Sequence, residues 1–403
     1  MSDASLLLDG LVVLDFTRVL AGPYCTRMLA DHGARVIKVE RPIEGDEMRR
    51  GYLQLEPGRS DQSTYFVRIN AGKLSVAIDL AHQASRPLVL DLARRADVVV
   101  ENFLPGVVER LHCDYRSLSA VKPDLVYCSI SGFGQAGPLR AWPAFAHIIN
   151  AMSGVMDLER DPGPAPRVGY LQTADVLAGT HAFGAIAAAL LRRARSGRGA
   201  FLDVSMLEAL VAAEDVSFGA MLNGGEALRG PRGGMIVHQI GGRWIAVQSV
   251  GSAELWPRLM KLIGREELAR DARFLTPALR REHWPEIREL IVGWLDGFVS
   301  AEAALAALNG ARLPCAPVLE PREVIEHPHL AERQFFPAVP HPAHGGVRIT
   351  ATPYHLDGRP VAPAGGAPHR AGEHTRQVLA EMLGYPEERI RALLDAGAIA
   401  LPA

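Results

Sequence analysis

The chain lacks most of the marks of a specialised protein. Its 403 residues hold four cysteines, Cys25, Cys113, Cys128 and Cys315, with no CxxC spacing. That scatter argues against a zinc motif and a disulfide framework, and it suits a reducing compartment. An excess of charge is lacking too: 43 Lys and Arg face 45 Asp and Glu, a formal net charge of −2. No global field therefore points to nucleic acid or to an anionic membrane. The N-terminal "MSDASLLLDGLVVLDFTR" has no basic region before its apolar run and has acids inside it, so it reads as a first strand rather than a signal peptide. No uninterrupted apolar run reaches about 18 residues, so no membrane span is expected. The expected location is the cytoplasm. Internal repeats and low-complexity segments are also absent.

What is present is an ordinary globular composition, 48% hydrophobic and 22% charged, long enough for one large or two ordinary domains. Short β-branched runs alternate with helical patterns over the first 135 residues. "LVVLDF" (11–16), "ARVIKVE" (34–40), "LSVAIDL" (74–80), "ADVVVENF" (96–103) and "LVYCSISGFG" (125–134) read as buried strands. Such alternation predicts an α/β fold with a mostly parallel sheet. Ligands on such sheets sit at the carboxyl ends of the strands, which here are the tails "DFTRVLAGP", "VERPIEGDEMRR" and "ENFLPG". Residues 171–217 turn helical and Ala/Leu-rich, and "NGGEALRGPRGGM" (223–235) reads as a hinge. The expected organisation is a large domain over 1–222, a smaller α+β unit with its linkers over 223–336, and a return over 337–403 that completes the large domain.

Three motifs carry possible chemistry. "GFGQAG" (132–137) fits GxGxxG after a strand, but Pro138 follows at once and no acidic partner is evident. A glycine turn lining a pocket is the better reading than a dinucleotide fingerprint. Gly22 and Pro23 stand at a strand-to-helix junction, where free N–H groups could hold a phosphate or a carbonyl oxygen, or simply make a βα turn. In "LQTADVLAGTHAFGAIAAALLRR" (171–193) a single carboxylate, Asp175, heads a helix otherwise built for burial. Spacing favours an N-cap for it. The same position keeps a carboxylate ionised, which leaves a covalent nucleophile open as the second reading. His181 reads as a packing or solvent-facing residue.

The ordered set "LLLDGLVVLDFTRVLAGPYCTRMLADHGARVIKVERPIEGDEMR", "ADVVVENFLPGVVERL", "SISGFGQAGP", "AMSGVM", "ADVLAGTHAFGAIAAALLRRARSGRGAFLDVSMLEA", "LPCAPV" and "GEHTRQVL" resembles the class III CoA-transferase family, the CaiB–BaiF type that also includes α-methylacyl-CoA racemases. The resemblance covers nearly the whole chain. It implies a Rossmann-like large domain built from both chain ends, a small domain, and an interlocked homodimer. It implies coenzyme A and acyl-CoA as substrates, with no permanently bound cofactor and no metal. The family's catalytic aspartate falls on Asp175, which would form a mixed anhydride with the acyl group and then an aspartyl-CoA thioester. N–H donors near Val19, Leu20 and Ala21 would face the developing oxyanion. Coenzyme A contacts fall on Val19, Arg41, Ile78, Asn102, Phe103 and Arg110, although a surface ion pair stays open for each arginine. The family's glycine loop corresponds to Gly230, Gly233 and Gly234.

Departures from the family pattern narrow the expected function. Racemases of this type carry a histidine where this chain has Phe145, and a phenyl ring cannot move a proton. His147 stands two residues later, and it is expected to line the acyl pocket with Phe145 and to bond a carboxylate there. Leu20 replaces the glutamine of oxalate-using relatives. A C4–C5 dicarboxylate such as succinate, mesaconate, citramalate or itaconate is the expected acceptor, with intramolecular transfer between two carboxyls as a variant. A racemase and a non-catalytic coenzyme A binder are the competing readings.

Overall fold

The computed structural model describes residues 6–159, 166, 169–214, 216–227, 234–249 and 254–402. The chain divides into two compact units, one of Met1–Met156, Val168–Asn223 and Pro328–Ala403, the other of Asp157–Arg167 and Gly224–His327.

The first unit is built on a seven-stranded sheet. Its strands are β1 (Val12–Asp15), β2 (Arg35–Glu40), β3 (Leu74–Ile78), β4 (Val98–Glu101), β5 (Val126–Ser131) and β6 (Ala200–Ser205), with a short C-terminal β14 (Ile399–Ala400). The order across the sheet is β14-β3-β2-β1-β4-β5-β6. All pairs are parallel except β14 with β3. All five expected strand runs of the first 135 residues form strands here. Because side chains alternate across a strand, these runs feed two cores. Val13, Val36, Val98 and Val100 join one core, while Leu14, Ile37, Val76 and Val99 join the other. A sheet covered on both faces needs apolar residues at consecutive positions, which is why these strands read as continuous runs.

Helix α1 (Ala21–Asp31) and helix α4 (Thr173–Ser196) cover the first face, and helix α2 (Ser85–Arg95) covers the second. A short helix α3 (Ala146–Met152) precedes α4. By length and composition α4 could cross a membrane. Its apolar run is not unbroken, because Asp175, Thr180 and His181 interrupt it. In the fold, its Ala174, Ala178, Ala182, Ile186 and Ala189 are buried in the sheet core.

The second unit has a three-stranded antiparallel sheet, β7 (Met235–Ile240), β8 (Arg243–Gln248) and β9 (Cys315–Pro317). Its core gathers Ile245, Trp256, Leu259, Phe274, Ile287, Ile291 and Leu308. The first unit also carries two small antiparallel ribbons, β10 (Ala338–His341) with β11 (Gly345–Arg348) and β12 (His355–Leu356) with β13 (Arg359–Pro360). The four cysteines are all free thiols.

Candidate active site

The order 3-2-1-4-5-6 reverses between β1 and β4, and ligand crevices on doubly wound sheets open at such a reversal. A cavity of about 690 Å³ lies there, lined by Phe16, Thr17 and Arg18 after β1, Lys38 to Pro42 with Glu44 to Asp46 around β2, Ile78 to Ala81 after β3, and Phe103, Leu104, Val107 and Leu111 after β4.

Its floor is ionic and buried. Asp15, Lys38, Glu40, Asp46, Arg49 and Lys73 are all buried. Lys38 pairs with Asp46 at 2.8 Å and donates to the Thr17 carbonyl at 2.8 Å. Lys73 pairs with Asp15 at 3.0 Å, and Arg49 grips both oxygens of Glu40 at 2.7 Å each. Burial alone would raise the Asp15 carboxyl, but Lys73, Lys38 and the hydroxyls of Thr17 and Thr26 outweigh it and hold it at about 2. Glu40 is likewise held at about 2, with Arg49 as the main counterweight to burial. Desolvation brings Lys73 down to about 8 despite Asp15 beside it. This network pins the loop that leaves β1. Asp15 accepts from the Thr17 N–H at 2.9 Å and from its hydroxyl at 2.5 Å.

From Thr17 the loop runs through Val19 to the start of α1. Val19 sits at φ +68°, a left-handed conformation that costs a β-branched residue on the order of 1–3 kcal/mol. Asn102 holds the loop from the β4 side. Its side-chain oxygen accepts from the Arg18 N–H at 2.8 Å and its amide donates to the Arg18 carbonyl at 2.8 Å. Gly22, the second residue of α1, has room for no side chain, since a Cβ would fall 2.3 Å from Thr17.

The loop delivers the first N–H of α1 to Asp175. The expectation that Asp175 caps α4 is corrected here: Gln172 is the N-cap residue, makes no capping bond through its side chain, and leaves Asp175 as the third residue of the helix. The carboxylate is buried at 8% exposure. Burial raises its pKa to about 6, against the N–H groups of Ala21, of Asp175 itself and of Ala146 and the charge of His147. Three helix starts, those of α1, α3 and α4, thus converge on one carboxylate. The dipoles do not hold it at an ordinary value, because desolvation is the larger effect. It is still largely ionised at neutral pH. A buried, largely ionised carboxylate with backbone donors around it can serve as a nucleophile or as a proton acceptor.

The remaining expected residues fall in different places. Ile78 and Phe103 line the cavity, as does Arg41, whose guanidinium is largely exposed and 3.8 Å from Glu44. Asn102 spends its amide on the Arg18 backbone, and Val19, Leu20, Ala21 and Arg110 are not among the lining residues. Leu20 is buried, whereas Arg110 is exposed on the helix Val107–Arg110. Phe145 and His147 flank Ala146 at the start of α3, both exposed. His181 faces solvent. The "GFGQAG" turn packs on β6 instead of the cavity, with the Gln135 N–H donating to Asp203 and its amide to Ser129 at 2.7 Å. Gly230 and Gly233 lie outside the described residues, and Gly234 has φ +95° beside β7 in the second unit. Asp175 itself is not part of the cavity lining; the Thr17–Ala21 loop joins the two.

Sequence reasoning missed Arg18. It lines the cavity, bonds Glu47 at 2.9 Å and lies over the Phe103 ring, 5.1 Å from its centroid. The signal was its position three residues after the end of β1, where a doubly wound sheet presents its ligand groups.

A doubly wound sheet with a cavity at its reversal and a buried carboxylate beside the first helix defines the structural class. The chain belongs to CoA-transferase family III, whose family model matches residues 8–375. It is a CoA-transferase of that family, whose members use CoA thioesters as substrates. It is similar to acetyl-CoA:oxalate CoA-transferase of Acetobacter aceti, 36% identical over 88% of this chain and 92% of that protein. It is 32% identical to succinyl-CoA:glutarate CoA-transferase of Mus musculus, over 97% of this chain and 90% of that protein. Succinyl-CoA–D-citramalate CoA-transferase of Chloroflexus aurantiacus is also 32% identical, over 96% of this chain and 97% of that protein. Among solved structures, a CaiB/BaiF family protein from Brucella suis superposes with a TM-score of 0.78 at 30% identity, covering 94% of this chain and 100% of that one. An aspartate-to-alanine mutant of Rv3272 from Mycobacterium tuberculosis gives 0.82 at 28% identity, covering 92% of this chain and 98% of that one.

Proposed function

We propose that the chain moves coenzyme A from an acyl-CoA to a small dicarboxylate, with Asp175 as the covalent nucleophile. The observation that carries this reading is the buried Asp175 carboxylate at the meeting of three helix starts, with its pKa near 6. Its oxygen attacks the thioester carbonyl carbon and expels the CoA thiolate, leaving a mixed anhydride. The thiolate then attacks the Asp175 carbonyl of that anhydride and releases the donor acid, leaving an aspartyl-CoA thioester. The acceptor carboxylate attacks that thioester and expels the thiolate again. The thiolate takes the acceptor acyl group, and Asp175 returns to a carboxylate. No water enters, and burial protects the anhydride from hydrolysis. The N–H of Ala21 is the natural donor to the developing oxyanion.

The cavity at the strand ends takes the nucleotide end of coenzyme A in this reading. Arg18 and Arg41 face its phosphates and Phe103 gives an apolar ring. His147, exposed next to Ala146, is positioned to meet the second carboxylate of the acceptor. Names of relatives support a dicarboxylate: oxalate, glutarate and D-citramalate appear among them. Leu20, buried and apolar, presents no polar group to oxalate, which favours a C4–C5 acid such as succinate, mesaconate, citramalate or itaconate. The exposed Phe145, Ile148, Met152 and Leu171 give the first unit an apolar surface suited to a second copy in a homodimer.

The test is mass spectrometry of the protein incubated with acyl-CoA and trapped with hydroxylamine or borohydride. A modification at Asp175 is expected. Turnover with Asp175 unmodified overturns the reading. Proton transfer at the α-carbon is the second reading, favoured by the charge of His147 acting on Asp175. Deuterium wash-in to a 2-methylacyl-CoA without any acceptor acid would establish it.

A further inference from the structure

The Pro/Gly/His-rich return after residue 337 has no part in the reaction above, yet it brings together a set of ligand atoms. We infer that Glu56, His341 and His369 form a binding site for one divalent transition metal of the zinc type. The carboxylate oxygen of Glu56 and one ring nitrogen from each histidine lie within 4.8 Å of one another. Nε2 of His369 is 2.5 Å from Glu56 Oε1, and Nε2 of His341 is 3.9 Å from the same oxygen. Ligands around a tetrahedral zinc, each about 2.0–2.1 Å from the ion, stand roughly 3.3 Å apart, so shifts below about 1 Å per atom would seat the ion. Two imidazoles and one carboxylate with a fourth position open to water is a set this ion accepts. The open position is available, because His341 and His369 also line a cavity of about 540 Å³ bounded by Pro342, Gly345 and Glu373.

The surroundings are built to orient these groups. His341 is buried, which fixes its ring between Glu56 and His369. Gln62 reaches both histidines, its oxygen 3.3 Å from His341 Nε2 and its amide bonded to the His369 carbonyl. The His369 N–H donates to Glu373 at 2.8 Å. Arg59 stands 3.9 Å from Glu56 Oε2 and is paired with Asp61, which leaves Oε1 to the histidines. There are local costs. Binding through the His341 Nε2 displaces the Gln62 oxygen 3.3 Å from it and moves the ring proton to Nδ1, which breaks the 3.3 Å bond that Nδ1 accepts from the Ala343 N–H, and the His369 Nε2 gives up its bond to Glu56. The sparse cysteine pattern that argues against a thiolate site says nothing about this one.

An ion there would tie the 54–62 segment to the C-terminal return. That return covers β3, where the Gly372 N–H donates to Ser75 Oγ at 2.7 Å and the Ala77 N–H to Thr375 at 3.0 Å. Metal binding would therefore stabilise the fold by mass action rather than take part in turnover. The test uses the full, tag-free chain, stripped with chelator, then titrated with Zn²⁺ by calorimetry and with Co²⁺ by visible absorption. One equivalent per chain is expected, with a raised Tm and a Co²⁺ spectrum of low-symmetry nitrogen and oxygen ligation. Glu56→Gln and His369→Gln should each lose that equivalent and the Tm response while CoA-transferase turnover persists. Absence of stoichiometric Zn²⁺ and Co²⁺ uptake by the unmodified chain overturns the inference whether or not the variants fold. Uptake that survives both substitutions overturns it equally.

Discussion

Gly179 of α4 touches the backbone of Ala21: a Cβ on the glycine would stand 2.6 Å from the Ala21 carbonyl oxygen. Gly179 lies four residues after Asp175, one turn along the same helix face. The missing side chain is what lets α4 sit against the first turn of α1 and places the Ala21 N–H beside the carboxylate. Gly179→Ala must push the two helices apart, because carbonyl oxygen cannot yield as a flexible side chain can. The expected cost is about 1–3 kcal/mol from overpacking. A larger relative loss is expected in kcat, since a shift of about 1 Å at a reacting group can cost on the order of 100-fold. Steady-state kinetics beside thermal unfolding separates the two; a kcat at the parent level would detach Ala21 from the reaction.

Asp175 itself has opposed effects on stability and activity. Its folded pKa of about 6 lies above the reference 3.8, so protonation is favoured in the folded state. That contribution is full below about pH 4 and is lost as pH rises through about 6. At pH 8 the folded protein therefore carries a cost of order 2–3 kcal/mol, at about 1.4 kcal/mol per pKa unit. Asp175→Asn should raise Tm at pH 8, and the difference should shrink towards pH 4. The same substitution should lower kcat on the order of 10⁴-fold or more, as expected when a nucleophile is removed. In the parent enzyme kcat should fall as pH drops through about 6. An Asn variant that is less stable at pH 8 than at pH 4, relative to the parent, would contradict the burial argument.

The sheet was readable because its physics is local. A strand covered on both faces must be apolar at every position, and "LVVLDF" and "ARVIKVE" meet that demand without help from the rest of the fold. Asp175 was visible as an odd charge in an apolar helix, but its position was misjudged by three residues, because Gln172 begins the helix without a capping side chain. No local rule foretells an N-cap that contributes nothing. The N–H donor from Ala146 depends on a helix 29 residues earlier, and Asn102 bonds Arg18 across 84 residues. Pairings at that separation leave no periodicity to read. The buried Lys38, Lys73 and Arg49 were equally hidden: Lys38 and Arg49 meet Asp46 and Glu40 across the loop after β2, and Lys73 meets Asp15 across 58 residues.

Arg18 offers a sharper test of the nucleotide end. It lies in the cavity lining with its guanidinium over Phe103 and one bond to Glu47. Arg18→Ala should raise KM for acyl-CoA about tenfold, the loss expected for one charge-assisted phosphate contact near the surface, with kcat changed much less. Arg41→Ala should have a smaller effect, because its guanidinium is more exposed and already faces Glu44. Both effects should weaken at high salt. Titration of the acyl-CoA dependence at two ionic strengths measures this, and a parent KM in Arg18→Ala would move the phosphates elsewhere.

The ion pair beneath the cavity should govern both acid stability and the shape of the loop. Asp15 sits at about 2, below its reference of 3.8, so its ionised form stabilises the fold. That contribution is present above about pH 4 and is lost as pH falls towards about 2. Asp15→Asn leaves Lys73 buried without its countercharge, which should cost about 3–5 kcal/mol. Lys73→Met alone should cost a similar amount by stranding Asp15. The double variant Asp15→Leu with Lys73→Met should recover part of that loss, since a well-packed apolar pair avoids the desolvation of two charges. Activity should not recover with it. Asp15 is also the acceptor for the Thr17 N–H and hydroxyl, and without those bonds the loop that carries Ala21 to Asp175 loses its anchor. Denaturant midpoints and kcat measured on the three variants decide the matter. Full activity in the double variant would show that the loop holds its place without Asp15.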